Sequence, residues 1–292
     1  MKKVFLALKL CLVAVLVFGL VMIFRQNQED RDNLASLADA VRIAGLSQRE
    51  RDAWEEGGFG GENASTKAVE ENVERVNSAA PCPNEIREQP IEQLPDEAAV
   101  LAALQLDRLQ EVNDEVVGWI MIPGTEVSCP VLFGEDNQFY LTHDWKKEKS
   151  SSGAVFLECE LDPALNDFHT IIYGHRMRSG AMFGSLKYYE NPEYRQEHSE
   201  VYVAVEDGIY RYEIFAAYEA GLEDLVYRLN LVGREERFLS FCLEKSVIST
   251  GIIPTASDRI LTMSTCTANN HDRRWVVQGR LNTVYVDRDG ED

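Results

Sequence analysis

Residues Leu261 to Leu281 read LTMSTCTANNHDRRWVVQGRL: a strand-like run that ends on a cysteine, a short polar loop, then two arginines opening a second strand-like run. Side chains alternate between the faces of a strand, so ILTMSTC places Leu261, Met263 and Thr265 on one face and Ile260, Thr262, Ser264 and Cys266 on the other. The second set is the more polar and is expected to point away from the core. In RRWVVQGRL the apolar phase holds Trp275, Val277, Gly279 and Leu281, and the other phase holds Arg274, Val276, Gln278 and Arg280. If the two strands pair across TANNHDR, Cys266 and Arg274 share the outward face and Arg273 takes the opposite phase. A thiol beside a guanidinium has the electropositive setting that favours thiolate, and the guanidinium is a donor for a developing oxyanion.

Working outward, the same period of two recurs in VGWIMI, AVFLE, HTIIYG, EVYVAV and IYRYEIFAAYEA, short runs rich in Val, Ile, Tyr and Phe separated by Gly, Pro, Asn and Asp. That pattern predicts a mainly-β barrel or sandwich. Arg234 to Ser246 breaks it, because Phe238, Phe241, Cys242 and Lys245 fit one helix face. The expectation is a barrel with inserted helices. Asp96 to Val112 has an acidic start and Val100, Leu101, Leu104 and Leu109 at near-helical spacing, so a packing helix is expected to open the folded domain.

The chain has 292 residues and a formal charge of −20, with no basic stripe to neutralise phosphates, which argues against a nucleic-acid partner. Val4 to Phe24 is a run of 21 residues with Lys9 as its one charge. As a helix it would span roughly the 30 Å hydrocarbon core. Lys2 and Lys3 precede it and acidic residues follow, so the positive-inside rule puts the N-terminus in the cytoplasm and the bulk outside. The rival is a cleaved signal peptide, but no small-x-small site follows the run. Residues 25–95, with EEGGFGGENAS and PCPNEIREQP, carry too few large apolar groups to offset their ordering entropy and read as an acidic, partly disordered tether with some helical stretches. The expected organisation is therefore an anchor over 1–24, a tether over 25–95 and an extracellular catalytic domain over 96–292.

Of the six cysteines, Cys11 lies in the apolar run and Cys82 in the tether, and Cys129, Cys159, Cys242 and Cys266 are scattered without a C-x-x-C pair, which argues against zinc. The plain reading of Cys129, Cys159 and Cys242 is small buried hydrophobes. A thiol nucleophile wants an imidazole, and the candidates are His143, His169, His175, His198 and His271. His175 stands out because a strand ends at Gly174 and leaves it at a strand mouth. His271, in the polar loop after Cys266, ranks second.

At these residues the chain resembles the sortases, and within them class B. The resemblance covers roughly Glu115 to Val286, through VGWIMIPGTEVSCPVL, DNQFYLTHDW, SGAVFLE, TIIYGHRMRSGAMFGSL, and LTMSTC followed by RWVVQGRL. It implies an eight-stranded sortase-type β-barrel, an inserted helix here at 234–246, and an N-terminal helical extension. It implies a catalytic group of Cys266, His175 and Arg274. Arg176 stands where class B often has Asn. Asn137, within DNQFYLTHDW, and Ser264 and Thr265, beside the cysteine, are the candidate substrate-binding residues. The implied reaction is transpeptidation: the thiolate attacks a threonine carbonyl in a C-terminal sorting signal of a secreted protein, and a peptidoglycan amine, or in a pilin-polymerising relative a pilin lysine, resolves the thioacyl enzyme. No metal or organic cofactor is called for. A membrane-anchored binding module without activity is the alternative of another class; a papain-like peptidase would place its cysteine early and its histidine late, opposite to the order here.

Overall fold

The computed structural model describes residues 18, 19, 22, 27, 28, 30–46, 86–266 and 272–287. Among the described residues nine strands form one sheet: β1 (Arg87–Pro90), β2 (Val116–Met121), β3 (Ser128–Leu132), β4 (Val155–Leu157), β5 (His169–Tyr173), β6 (Glu200–Val205), β7 (Gly208–Gly221), β8 (Ile260–Cys266) and β9 (Arg273–Val286). Eight of them close into a ring, β9-β7-β6-β2-β3-β4-β5-β8, because β9 pairs with β7 on one side and with β8 on the other. The ninth, β1, adds in parallel to the far end of β9. β9 can serve three partners because it is 14 residues long: Arg274 to Arg280 face β8, and Thr283 to Val286 face β1. β7 is equally long and carries two register shifts, at Arg211/Tyr212 and Ile214/Ala216. Such bulges bend and twist a strand, which lets it wrap between β6 and β9.

Alternation along the strands sorts apolar side chains to two sides of the wall. The barrel interior takes Ile120, Val131, Val203, Tyr212, Leu261, Met263, Trp275, Val277 and Leu281. The outer wall is also covered. Trp119, Met121, Tyr202 and Phe156 pack beneath Ala40, Ala44, Leu101 and Leu109 from segments before β2. On the other side Phe215, Tyr218, Ile260 and Val276 pack beneath Phe238, Leu239 and Cys242 of the helix Glu235–Lys245. Each fully buried side chain of this size contributes about 1.5–3 kcal/mol, so both layers hold the wall.

The outward phase of β8 and β9, expected to be open, is therefore roofed over most of its length. Thr262, Ser264 and Gln278 are all essentially inaccessible. Polarity misled here because these groups satisfy one another instead of water.

The folded body also starts earlier than residue 96. A helix over residues 30–43 and the turn after it pack Ala40 and Ala44 against the barrel, and β1 adds a strand at 87–90. The stretch from Asp96 forms a 3-10 helix, Asp96–Ala103, and a short helix, Leu106–Gln110, in place of one continuous helix. Among the described residues no helix is long and apolar enough to cross a membrane, and the run from Val4 to Phe24 lies almost wholly outside them, as do residues 47–85.

Candidate active site

Three neighbouring strands, β5, β8 and β9, build the site rung by rung. β5 and β8 run parallel, with His169 opposite Ile260, Ile171 opposite Thr262 and Tyr173 opposite Ser264. β8 and β9 run antiparallel, with Ile260 opposite Arg280, Thr262 opposite Gln278, Ser264 opposite Val276 and Cys266 opposite Arg274. Positions of one phase thus stack as 169/260/280, 171/262/278 and 173/264/276. The next rung joins 266 to 274, and His175 lies two residues beyond Tyr173 just as Cys266 lies two beyond Ser264. The amide of Gly174 still donates to the carbonyl of Ser264 at 3.2 Å, so the β5 chain keeps level with β8 as it leaves the sheet.

The lower rungs are a buried floor. His169 lies with its ring 4.5 Å from that of Phe238 and shares a 2.7 Å hydrogen bond through Nε2 with the Thr262 hydroxyl. Gln278 donates to the same hydroxyl at 2.8 Å and accepts from Tyr218 at 3.1 Å. On the third rung Ser264 and Tyr227 share a hydroxyl hydrogen bond of 2.9 Å, and Tyr173 donates to Glu158 at 2.8 Å. His175 and Arg274, on the fourth, are half-exposed. Access to solvent therefore opens at that rung.

The backbone around His175 is locked on both sides. Gly174 must be glycine, since a Cβ there would come within 2.8 Å of the Phe183 ring. The His175 carbonyl accepts from Phe183 at 3.0 Å, which closes the loop after it. Its ring is held by the carbonyl of Leu141, 2.9 Å from Nε2. A carbonyl only accepts, so Nε2 carries the hydrogen and Nδ1 is the nitrogen left to take or give a proton. Gly153 lies against this contact at φ +57°, where a Cβ would press on the Tyr140 carbonyl at 2.3 Å and on the His175 ring at 2.9 Å.

The other described histidines are committed elsewhere. Burial pushes the His169 imidazole down to about 3, so it stays neutral at ordinary pH. His143 stacks on Phe139 with centroids 4.0 Å apart, and its Nδ1 donates to the Phe139 carbonyl. His198 donates from Nδ1 to Pro123. His271 lies outside the described residues.

Asn137 belongs to a tight polar cluster with Glu158 and Cys159 that joins the third rung through Tyr173. Its Oδ1 accepts from the Cys159 amide at 3.0 Å and its Nδ2 donates to Glu158. With one N–H given to Glu158, Asn137 keeps its second N–H to offer a ligand, which suits a carbonyl. Ser264 and Thr265 are buried, and the Thr265 hydroxyl finds no hydrogen-bond partner among the described residues. Their side chains support the strand more than they line an opening. Sequence reasoning missed Glu158, Tyr173 and Tyr227, whose roles come from pairing across strands far apart in sequence. The signal that was present is an acid closing the apolar run AVFLE, unusual for a position that is 6% exposed.

Cys129, Cys159 and Cys242 are free thiols. Burial pushes Cys129 up to about 12 and Cys242 up to about 11, so both are inert hydrophobes at neutral pH. Cys159 is half-exposed, and burial and the neighbouring Glu158 raise it as well. Among the described residues no group of His, Cys, Asp and Glu could hold a metal ion.

A family model for the Sortase domain matches residues 120–282, from within β2 to within β9, a stretch that includes β5, β8 and the part of β9 that pairs with β8. The chain belongs to the sortase family, the cysteine transpeptidases. Its class is B. It is 35% identical over 187 residues to sortase B of Listeria monocytogenes, covering 61% of this chain and 74% of that protein. It is 31% identical over 164 residues to sortase B of Staphylococcus aureus, covering 56% and 67% respectively. The solved Staphylococcus aureus sortase B–substrate complex superposes with a TM-score of 0.57 at 30% identity, covering 61% of this chain and 84% of that one.

Proposed function

We propose that Cys266, His175 and Arg274 are the catalytic group of this transpeptidase, and that it joins secreted proteins to a peptidoglycan amine. The observation that carries the reading is the shared rung: 266 and 274 are Cα partners, and 175 leaves the neighbouring strand at the same level. The Cys266 thiolate attacks the carbonyl carbon of a threonine in the sorting signal, forming a C–S bond and an oxyanion toward which Arg274 donates. As the tetrahedral adduct collapses, the C–N bond breaks and protonated Nδ1 of His175 gives its proton to the departing amine. The incoming amine then attacks the thioester and loses its proton to Nδ1; a new C–N bond forms and the thiolate leaves. Asn137 presents an N–H to a carbonyl of the signal. The run from Val4 to Phe24 would hold the enzyme at the outer membrane face, where secreted substrates and wall precursor meet.

Incubating the protein with threonine-containing sorting peptides and a short amine donor tests this. A ligated product that depends on the amine is expected, and hydrolysis at the same rate with or without amine would contradict transfer. A C-terminal tag on wall-free cells should be accessible from outside; protection until lysis would overturn the orientation.

A further inference from the structure

The loop that holds the His175 ring is itself held by the N-terminal helix. Residues 139–153 leave the barrel and return, with a bridge between His143 and Lys149 and a 2.9 Å bond from the Ser150 amide to the Thr142 carbonyl. The base of this excursion presents the Leu141 carbonyl to His175 and is tied across itself by the Ala154 amide, 2.9 Å from the Tyr140 carbonyl. Its tip meets the helix over residues 30–43. There Ser36 donates to Asp144 at 2.7 Å, the Trp145 indole donates to the Ser36 carbonyl at 2.9 Å, and Lys146 pairs with Asp39. Lys146 and Arg42 hold the Asp39 carboxyl below the usual carboxylate range.

Tip and base are rigidly joined. The other oxygen of Asp144 accepts from the amides of Lys146 at 2.9 Å and Glu148 at 3.0 Å, fixing the turn. Trp145 is 2% exposed, and its carbonyl accepts from Asn113 at 2.7 Å, whose side chain also donates to the Tyr140 hydroxyl at 3.0 Å. A shift of the tip is therefore carried to Tyr140 and to its neighbour Leu141, whose carbonyl meets His175. Beside the apolar packing of Leu37 and Ala40 on the barrel, the helix ties the tip through two hydrogen bonds and one ion pair, and these polar ties can be cut without opening the barrel.

We propose that Ser36 and Asp39 are positioning residues: by docking the N-terminal helix on the 139–153 loop they fix the Leu141 carbonyl, and through it the tautomer and orientation of His175. This makes the segment ahead of the catalytic domain a part of the active site's second layer of support, and it rests on the reading that His175 moves the proton. A histidine free of the Leu141 carbonyl would exchange between tautomers and rotamers, and only a fraction would present Nδ1 to the reacting atoms.

The test uses the full-length chain with Asp39→Lys, Ser36→Ala, and the charge swap Asp39→Lys with Lys146→Asp. Two quantities are read: single-turnover acylation against peptide concentration, and the ring nitrogen chemical shifts of His175 in histidine-labelled protein. Asp39→Lys should lower the acylation rate constant about tenfold, with half-saturation nearly unchanged, and move the ring shifts from the Nε2–H pattern toward averaged values. Ser36→Ala should do the same more weakly, and the swap should restore both readings. Unaltered ring shifts in Asp39→Lys and Ser36→Ala would overturn the proposal, as would a rate loss that the swap does not rescue. Wild-type turnover by His175→Ala would instead defeat the catalytic reading, while the ring shifts would still report whether the helix sets the imidazole.

Discussion

Cys266→Ala is expected to lose both cleavage and transfer, with no product above background, while the far-ultraviolet spectrum and melting temperature stay close to those of the parent. The reaction needs a thiolate to form the acyl bond, and no other described cysteine can substitute: Cys129 and Cys242 are buried and raised to about 12 and 11, and Cys159 is raised by burial and by the Glu158 carboxylate beside it. His175→Ala should cost nearly as much, on the order of 10² to 10⁴ in acylation rate, the range typical of a lost general acid. His143→Ala and His198→Ala serve as controls, since each ring is committed to a backbone carbonyl, and each should retain most activity. His271→Ala should also be mild. A profile in which His271→Ala is the damaging change would move the proton transfer into the loop between β8 and β9.

The second large effect separates two adjacent arginines. Arg274 is the Cα partner of Cys266 across β8 and β9, whereas Arg273 pairs with Gly221 across β7 and β9 and is exposed. Trp275 and Val277, in the phase of Arg273, enter the barrel interior, while Val276, in the phase of Arg274, lies on the opposite side of the wall. If Arg274 donates to the oxyanion, Arg274→Ala should slow acylation by about 10²- to 10³-fold. Arg274→Lys should recover only part, because one ammonium does not reproduce the planar fork of donors. Arg273→Ala should cost little. A large loss at Arg273 with a small one at Arg274 would mean that the roles follow the other phase.

Much of this barrel is legible in the sequence because period-two runs coincide with β2, β4, β5, β6, β7, β8 and β9, and because the helix Glu235–Lys245 carries its apolar face at Phe238, Leu239 and Cys242. β3 is not legible: Pro130 sits in its middle and argues against a ladder. The structure accommodates it because β4 is only three residues long and pairs with Val131 and Leu132, past the proline, so the missing N–H is not called on from that side. β1 escapes notice for a different reason. Its four residues, REQP, have no apolar pattern and gain their place by adding to the end of a strand nearly 200 positions away in sequence.

The site shows the same division. The phase argument pairs 266 with 274 because both lie in one hairpin, where local alternation fixes register. The exposure of that face does not follow from alternation, since Thr262, Ser264 and Gln278 look like solvent-facing residues until Tyr227, Tyr218 and the helix Glu235–Lys245 are brought over them by a connection of long span. The cluster of Asn137, Glu158 and Tyr173 and the clamp of the 139–153 loop are products of the closed ring, and no window of sequence contains them.

The most direct test is mass spectrometry of the protein trapped with a threonine-containing sorting peptide and no amine. The account predicts an adduct equal in mass to the acyl portion of the peptide, mapped to Cys266, removed by hydroxylamine and absent from Cys266→Ala. An adduct on Cys159 or another residue, or steady turnover of the peptide by Cys266→Ala, would contradict it.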